Sequence, residues 1–277
     1  MRPPRKGLKP FNLRRGKTLV MGIVNVTPDS FADGGKFNTA ADAVAHAAAL
    51  VAAGADIIDV GGESTRPGAA RVSVGEELDR VIPVIEQLTQ EFAALVSVDT
   101  SKAIVMREAV AAGAAMINDV RALEAKDALA TAGELDVPVC LMHMQGKPDS
   151  MQTAPTYDHV TDEVVEYLRA RVDACLAAGF KAQNIIIDPG FGFGKTLAHN
   201  LQLLRELDRV IALGYPVLVG LSRKSMLGAI TGRDVDQRLA GSLALALLAA
   251  QQGAAIIRVH DVAPTVDVLK ILERLAQ

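Results

Sequence analysis

The 277 residues are half apolar, 22% charged and only 4% aromatic with no Trp, so a large core must be built from Ala, Val, Leu and Ile, and neither a disordered chain nor a coiled coil fits. Length alone leaves one large domain or two ordinary ones open. The net charge of −3 gives no case for a nucleic-acid or membrane surface, although residues 1–17 are purely basic and leave a body of 22 bases against 32 acids.

In chain order, residues 1–17 carry Arg2, Arg5, Lys6, Lys9, Arg14, Arg15 and Lys17 and read as a basic lead-in. Phe11 and Leu13 stand alone there, which is no signal-peptide core. From residue 18, short Val-, Ile- and Leu-rich runs alternate with Ala-rich segments of helical spacing. The predicted strands are 18–25, 56–61, 95–99, 115–119, 137–142, 184–188, 216–221 and 254–260. The predicted helices are 39–53, 74–93, 102–112, 122–134, 158–178, 198–213, 234–252 and 264–275. Most of the strands are continuously apolar, as strands covered on both faces are, which makes the sheet parallel. Gly54, Gly113, Gly179, Gly214 and Gly253 fall where a left-handed helix C-cap is wanted, and Asp42, Asp162 and Asp234 near helix starts. The uncharged stretch 239–257 has the length of a bilayer span, but Gln251, Gln252 and Gly253 interrupt it. It reads as a buried helix followed by a buried strand, and the protein as soluble, with no membrane partner. Cys140 and Cys175 form no disulfide framework and suit a reducing cytoplasm. Eight strand–helix units predict an α/β fold, a single (β/α)8 barrel over 18–277, with an open doubly wound sheet as the alternative.

A barrel gathers its functional groups at the C-terminal strand ends. Asn25, then Glu63, Ser64, Thr65 and Arg66, then Asp99, then Asn118 and Asp119 stand at the first four ends. His143, Asp188, Ser222 with Lys224, and Arg258 with His260 and Asp261 stand at the other four. One such residue is ordinarily a cap or a turn former, whereas eight successive ends mark a rim. Ser222 has neither a GxSxG elbow nor a base beside it in sequence. His46, His143, His159, His199 and His260 lack zinc-ligand spacing. The segment 188–196 misses the Walker A count by one, since Pro189 stands where the first glycine belongs. Its glycines read as letting backbone approach a flat ligand held by Asp188, with Phe191 or Phe193 as a face and core packing an equal account of either ring. Asp188 and Asn118 suit a planar amidine-like edge, while Arg258, His260, Asn25 and the turn 61–66 suit a phosphate. A polar aromatic joined to a phosphorylated group is the ligand so described.

Seven motifs stand in order at the strand ends: MGIVNVTPDSFADGG (21–35), DVGGESTRPGA (59–69), SVDTSK (97–102), INDV (117–120), DPGFGFGKT (188–196), GLSRKS (220–225) and RVHDV (258–262). On these, across nearly its whole length, the chain resembles the dihydropteroate synthase family. The resemblance implies condensation of 6-hydroxymethyl-7,8-dihydropterin diphosphate with 4-aminobenzoate to 7,8-dihydropteroate and diphosphate, assisted by Mg²⁺. It implies that Asp188 and Asn118 hold the pterin edge, that Lys224 bonds its ring carbonyl and nitrogen, that Arg258 lies over its face, and that Asp99 faces the developing positive charge. Arg258, His260 and Thr65 are to hold the diphosphate and Asn25 the metal. Loops 27–37 and 62–72 are to close the aminobenzoate pocket with Phe31, Thr65, Arg66 and Pro67, with Asp33 pairing with Arg66 or the metal. Phe193 and Lys224 are to flank the ring, and Ser222 to bind its carboxylate at a helix start. Family members are commonly dimers, for which the seventh and eighth predicted helices offer an apolar face. The alternatives are a folate–corrinoid methyltransferase-type barrel, for which the chain has no DxHxxG and no room for a cobalamin module, and a non-catalytic pterin-binding paralogue, expected to have lost the intact Ser64-Thr65-Arg66-Pro67 element. A DNA-associated role for the basic start has no recognition motif behind it.

Overall fold

The structure, a computed structural model, describes residues 17–27, 39–64, 71–92, 95–146 and 151–275. Within them run eight strands: β1 Leu19–Asn25, β2 Ile57–Gly61, β3 Leu95–Asp99, β4 Met116–Asp119, β5 Val139–Met142, β6 Ile185–Asp188, β7 Leu218–Val219 and β8 Ile256–Val259. All eight lie inside the predicted runs. Every pairing is parallel, in the order β6-β5-β4-β3-β2-β1-β8-β7. The ends of that row meet through a single parallel bridge, Ile187 to Val217, with the Ile187 N–H donating to the Pro216 carbonyl at 3.0 Å. The sheet is therefore a closed barrel rather than an open doubly wound sheet.

The unbroken apolar runs have a direct cause. Side chains alternate across a strand. One set, Leu19, Met21, Ile57, Met116, Cys140, Ile186, Leu218 and Ile256, packs in the barrel interior. The other, including Val20, Ile58, Val96, Ile117, Leu141, Ile187, Val219 and Ile257, packs under the helices. Neither face meets water, so no polar alternation is required.

The helices are α1 Thr39–Ala52, α2 Val74–Glu91, α3 Ala103–Ala112, α4 Ala128–Leu135, α5 Val160–Ala177, α6 Leu197–Arg205, α7 Leu207–Ile211, α8 Ser225–Thr231, α9 Leu239–Gln251 and α10 Val262–Leu275. The five glycines expected past helix ends all take positive φ, from 83° to 128°. Four details differ from the sequence reading. The predicted helix 198–213 is broken at Glu206 into α6 and α7; Leu203, Leu204, Leu207 and Val210 stay buried across the break, so periodicity does not reveal it. The predicted helix 122–134 begins only at Ala128, because the Asp119 carboxylate accepts the N–H groups of Arg121 (2.8 Å) and Leu123 (2.9 Å) and fixes a turn instead. Helix α8 is absent from the helices read from apolar spacing, although the resemblance implied a helix start at Ser222. Asp234 precedes a short 3-10 turn at 235–237, and α9 starts after it. The stretch 239–257 is helix α9 followed by β8, and among the described residues no helix is long and apolar enough to cross a membrane. Of the basic lead-in only Lys17 is described, its Nζ 3.2 Å from Asp56 Oδ1.

Candidate active site

Continuing each interior set two residues along its strand leads to the mouth of the barrel. Ile57 is followed by Asp59, Met116 by Asn118, Ile186 by Asp188 and Ile256 by Arg258; Asp99 ends β3 in register with Gly61 and Asn118. These side chains meet. The Arg258 guanidinium donates from Nε to Asp59 Oδ2 at 2.7 Å and from a terminal nitrogen to Asp99 Oδ2 at 3.0 Å. Asn118 Nδ2 donates to the same Asp59 oxygen at 3.0 Å. Asp59 is fully buried, and its Oδ1 has no hydrogen-bond partner. Sequence reading passed over Asp59, although a lone carboxylate inside the run Ile57-Ile58-Asp59-Val60 was a legible signal.

A second group lies beside the first. Asp188 Oδ1 accepts the Gly190 N–H at 2.7 Å. Lys224 Nζ donates to the Phe191 carbonyl and sits 4.5 Å from the centre of the Phe193 ring. This decides between the two phenylalanines: Phe191 is fully buried in the core, while Phe193 is half-buried at the site. Ser222, three residues ahead of α8, has its hydroxyl 3.0 Å from His260 Nδ1, a base that sequence proximity could not show. The turn carrying Ser222 and Lys224 puts Arg223 in the left-handed region at φ 57°. It is held by an Arg223–Asp261 pair, with Arg223 Nε 2.9 Å from Asp261 Oδ2.

Burial and charge together set the protonation of this mouth. Burial pushes the Asp99 carboxyl up to about 7, with the Asp59 charge adding to the rise and Arg258 opposing it. Burial also raises Asp188, against its bond from Gly190 and the nearby Lys224. Lys224 is drawn down to about 8 by burial, with Asp188 opposing. Burial alone would lower Arg258, but Asp59 and Asp99 outweigh it and hold the guanidinium firmly charged.

Several rim candidates turn out to be engaged in holding the scaffold. Asp119 bonds its own turn and the Ser101 hydroxyl. Glu63 accepts from Lys102 Nζ at 2.6 Å and from the Val72 N–H at 3.2 Å. His143 is buried and faces Lys195. Asn25 ends β1 in register with Gly61. Phe31, Asp33, Thr65, Arg66 and Pro67 lie outside the described residues.

The family described as pterin binding enzyme matches residues 21–260. A dihydropteroate synthase of Escherichia coli K12 is 55% identical over 254 residues, covering 92% of this chain and 90% of its own length. The chain belongs to the dihydropteroate synthase family. It is thus a transferase of folate biosynthesis, with the (β/α)8 barrel of its relatives. Xanthomonas albilineans dihydropteroate synthase with 4-aminobenzoic acid superposes at a TM-score of 0.90, with 55% identity, 95% of this chain and 94% of the other covered. The same enzyme in complex with 7,8-dihydropteroate superposes at 0.88, with 52% identity over 96% and 95% of the two chains.

Proposed function

We propose that this chain joins 6-hydroxymethyl-7,8-dihydropterin diphosphate to 4-aminobenzoate, and that the barrel mouth divides the work as follows. Asp188 and Asn118 accept and complement the donor edge of the pterin, and Lys224 bonds its ring carbonyl and nitrogen. Arg258 covers the pterin face and, with His260 and Thr65, faces the diphosphate. As the C–O bond to diphosphate breaks, positive charge grows on the pterin methylene system, and Asp99 faces it. The arylamine nitrogen forms the new C–N bond and gives up a proton, and the diphosphate leaves with the electron pair. The observation that carries this reading is the Asp59–Arg258–Asp99 cluster: a guanidinium tied to two carboxylates is fixed before substrate arrives. A charge already oriented in a dry site needs no reorganisation in the transition state.

Phe31, Thr65, Arg66 and Pro67, with Phe193, Lys224 and Ser222, are the proposed aminobenzoate pocket. For Mg²⁺, the described residues offer no group of three His, Cys, Asp or Glu side chains. Asn25, an oxygen donor at the half-exposed end of β1, fits an ion bound mostly by diphosphate oxygens and water, which would neutralise the leaving group. The apolar side chains exposed on α8, α9 and α10, Ile230, Leu239, Leu248 and Ile271 among them, are the proposed homodimer face. The two free, buried thiols Cys140 and Cys175 accord with a cytoplasmic location.

The test is diphosphate release on mixing the two substrates, with and without Mg²⁺. Release that requires both substrates and is stimulated by Mg²⁺ is expected. No release under any condition, with pterin binding retained, would instead indicate a non-catalytic pterin-binding protein.

A further inference from the structure

Lys195 ends the glycine-rich loop after β6 and is only 3% exposed, an unusual environment for a lysine. Burial draws its pKa well below the usual lysine value, and in either protonation state a buried amino nitrogen needs hydrogen-bond partners. Lys195 Nζ finds His143 Nδ1 at 2.9 Å, the Gly190 carbonyl at 3.0 Å and the Phe193 carbonyl at 3.1 Å. Two of these belong to the loop and the third to the residue just after β5. The neighbouring Thr196 faces the other way and caps α6, its hydroxyl accepting the His199 N–H at 3.2 Å. The Lys-Thr pair that brings the segment close to a phosphate-binding motif is therefore engaged in bonds to the chain itself, Lys195 in the interior and Thr196 at the surface.

The loop is wound tightly around that amino group. Gly190 and Gly194 take φ values of 68° and 58°, and a Cβ at either would overlap a carbonyl oxygen, that of His143 or Gln145 respectively. The backbone thus lies against residues 143–145 closer than any side chain permits. Burial, reinforced by the nearby Lys195, draws His143 down to about 2, so the imidazole facing Lys195 is neutral. An edge-on contact with Tyr167, 5.0 Å between ring centres, holds the imidazole in place. The outer side of the same loop carries the Phe193 ring against Lys224.

We propose that Lys195 is a positioning residue: by binding the Phe193 carbonyl and tying the loop to His143, it holds the Phe193 ring where the arylamine substrate packs. The inference deepens the aminobenzoate pocket assigned above and rests on it. Lys195→Met keeps most of the volume and removes the donors. Its expected effect is a rise of about tenfold in the KM for 4-aminobenzoate, with the directly measured Kd for the pterin diphosphate changing by less than about threefold. A merely structural role would lower the folded fraction and leave the two constants unmoved. Because Lys195 acts through Phe193, the Lys195→Met and Phe193→Ala effects on that KM must be non-additive, the double variant resembling the worse single one. Additive effects, or a KM unchanged in Lys195→Met, would overturn the proposal.

A second readout does not depend on the substrate assignment. In protein labelled with 4-fluorophenylalanine, the resonance lost in Phe193→Leu identifies position 193. Displacement or broadening of that resonance in Lys195→Met is expected, and an identical resonance overturns the positioning role. If the resonance moves while Phe193→Ala leaves the aminobenzoate KM untouched, Lys195 positions the ring, but the pocket assignment and the substrate part of the inference fall. Lys195→Gln, which retains two donors, serves if the methionine variant does not fold, and its resonance is expected to move less.

Discussion

Arg258 and its two carboxylates show how single residues set the chemistry of this mouth. A buried guanidinium needs counter-charge, and two carboxylates this close to one another cannot both ionise as freely as in water. The result is an Asp99 poised near neutrality beside an arginine that stays charged. Asp99 acts as an anion, so its contribution is lost as pH falls through about 7; Lys224 acts as a cation, so its contribution is lost as pH rises through about 8. A bell-shaped profile of kcat/KM for the pterin diphosphate with limbs near those values is expected. Asp59→Asn removes a neighbouring negative charge and should move the acid limb to lower pH, and a limb that stays put would exclude coupling between the two aspartates. Asp99→Asn should lower kcat by roughly 100-fold or more while leaving pterin diphosphate binding largely intact, the pattern of a group used mainly in the transition state. Equal losses in binding and turnover would assign Asp99 to positioning alone.

At the level of elements, short segments take their form from side-chain bonds that hydrophobic spacing does not record. Asp119 turns the chain after β4 by accepting two backbone N–H groups, which delays α4 by six residues relative to the apolar pattern. Thr196 starts α6 through a reciprocal cap with His199. Removing that cap in Thr196→Ala should lower stability by about 1 kcal/mol, read as a shift in denaturation midpoint with unchanged slope. An unshifted midpoint would mean that water serves the exposed N–H groups equally well. The loop ahead of the cap owes its course to Gly190 and Gly194, and the spacing of those glycines was visible in sequence while their purpose was not. Sequence favoured a flat ligand approaching the backbone; at Gly190 and Gly194 the structure shows the backbone approaching residues 143–145.

For the whole molecule, closure of the barrel is uneven. Strands β1, β2 and β3 are paired in register over five residues each, whereas β7 has two residues and meets β6 by one bridge. Local opening should follow this difference, because the free energy of exposing an amide depends on how many contacts break with it. Native-state hydrogen exchange is expected to be faster at Ile187 and Val219 than at Ile58 and Val98, by at least about tenfold, corresponding to about 1.4 kcal/mol. Uniform protection around the ring would show that the helices outside, and not the strand pairing, control opening.

The sequence by itself determined the number of strand–helix units, their parallel sense and the chemistry collected at strand ends, because each depends on patterns within a few residues: apolar runs, helix-capping glycines and polar termini. Parity along a strand even placed Asp59 on the inward face, had it been read. Only the tertiary structure decided which of those strand-end residues meet. Asp59 and Arg258 are 199 residues apart in the chain, and their contact depends on the barrel closing with one particular register. The same closure placed Ser222 on His260, Lys195 on His143 and Asp261 on Arg223, while Asp119 was taken up by its own turn. Local pattern fixes which way a side chain leaves its strand. What it encounters there is set by elements far away in sequence, brought together by burial of a continuous apolar core.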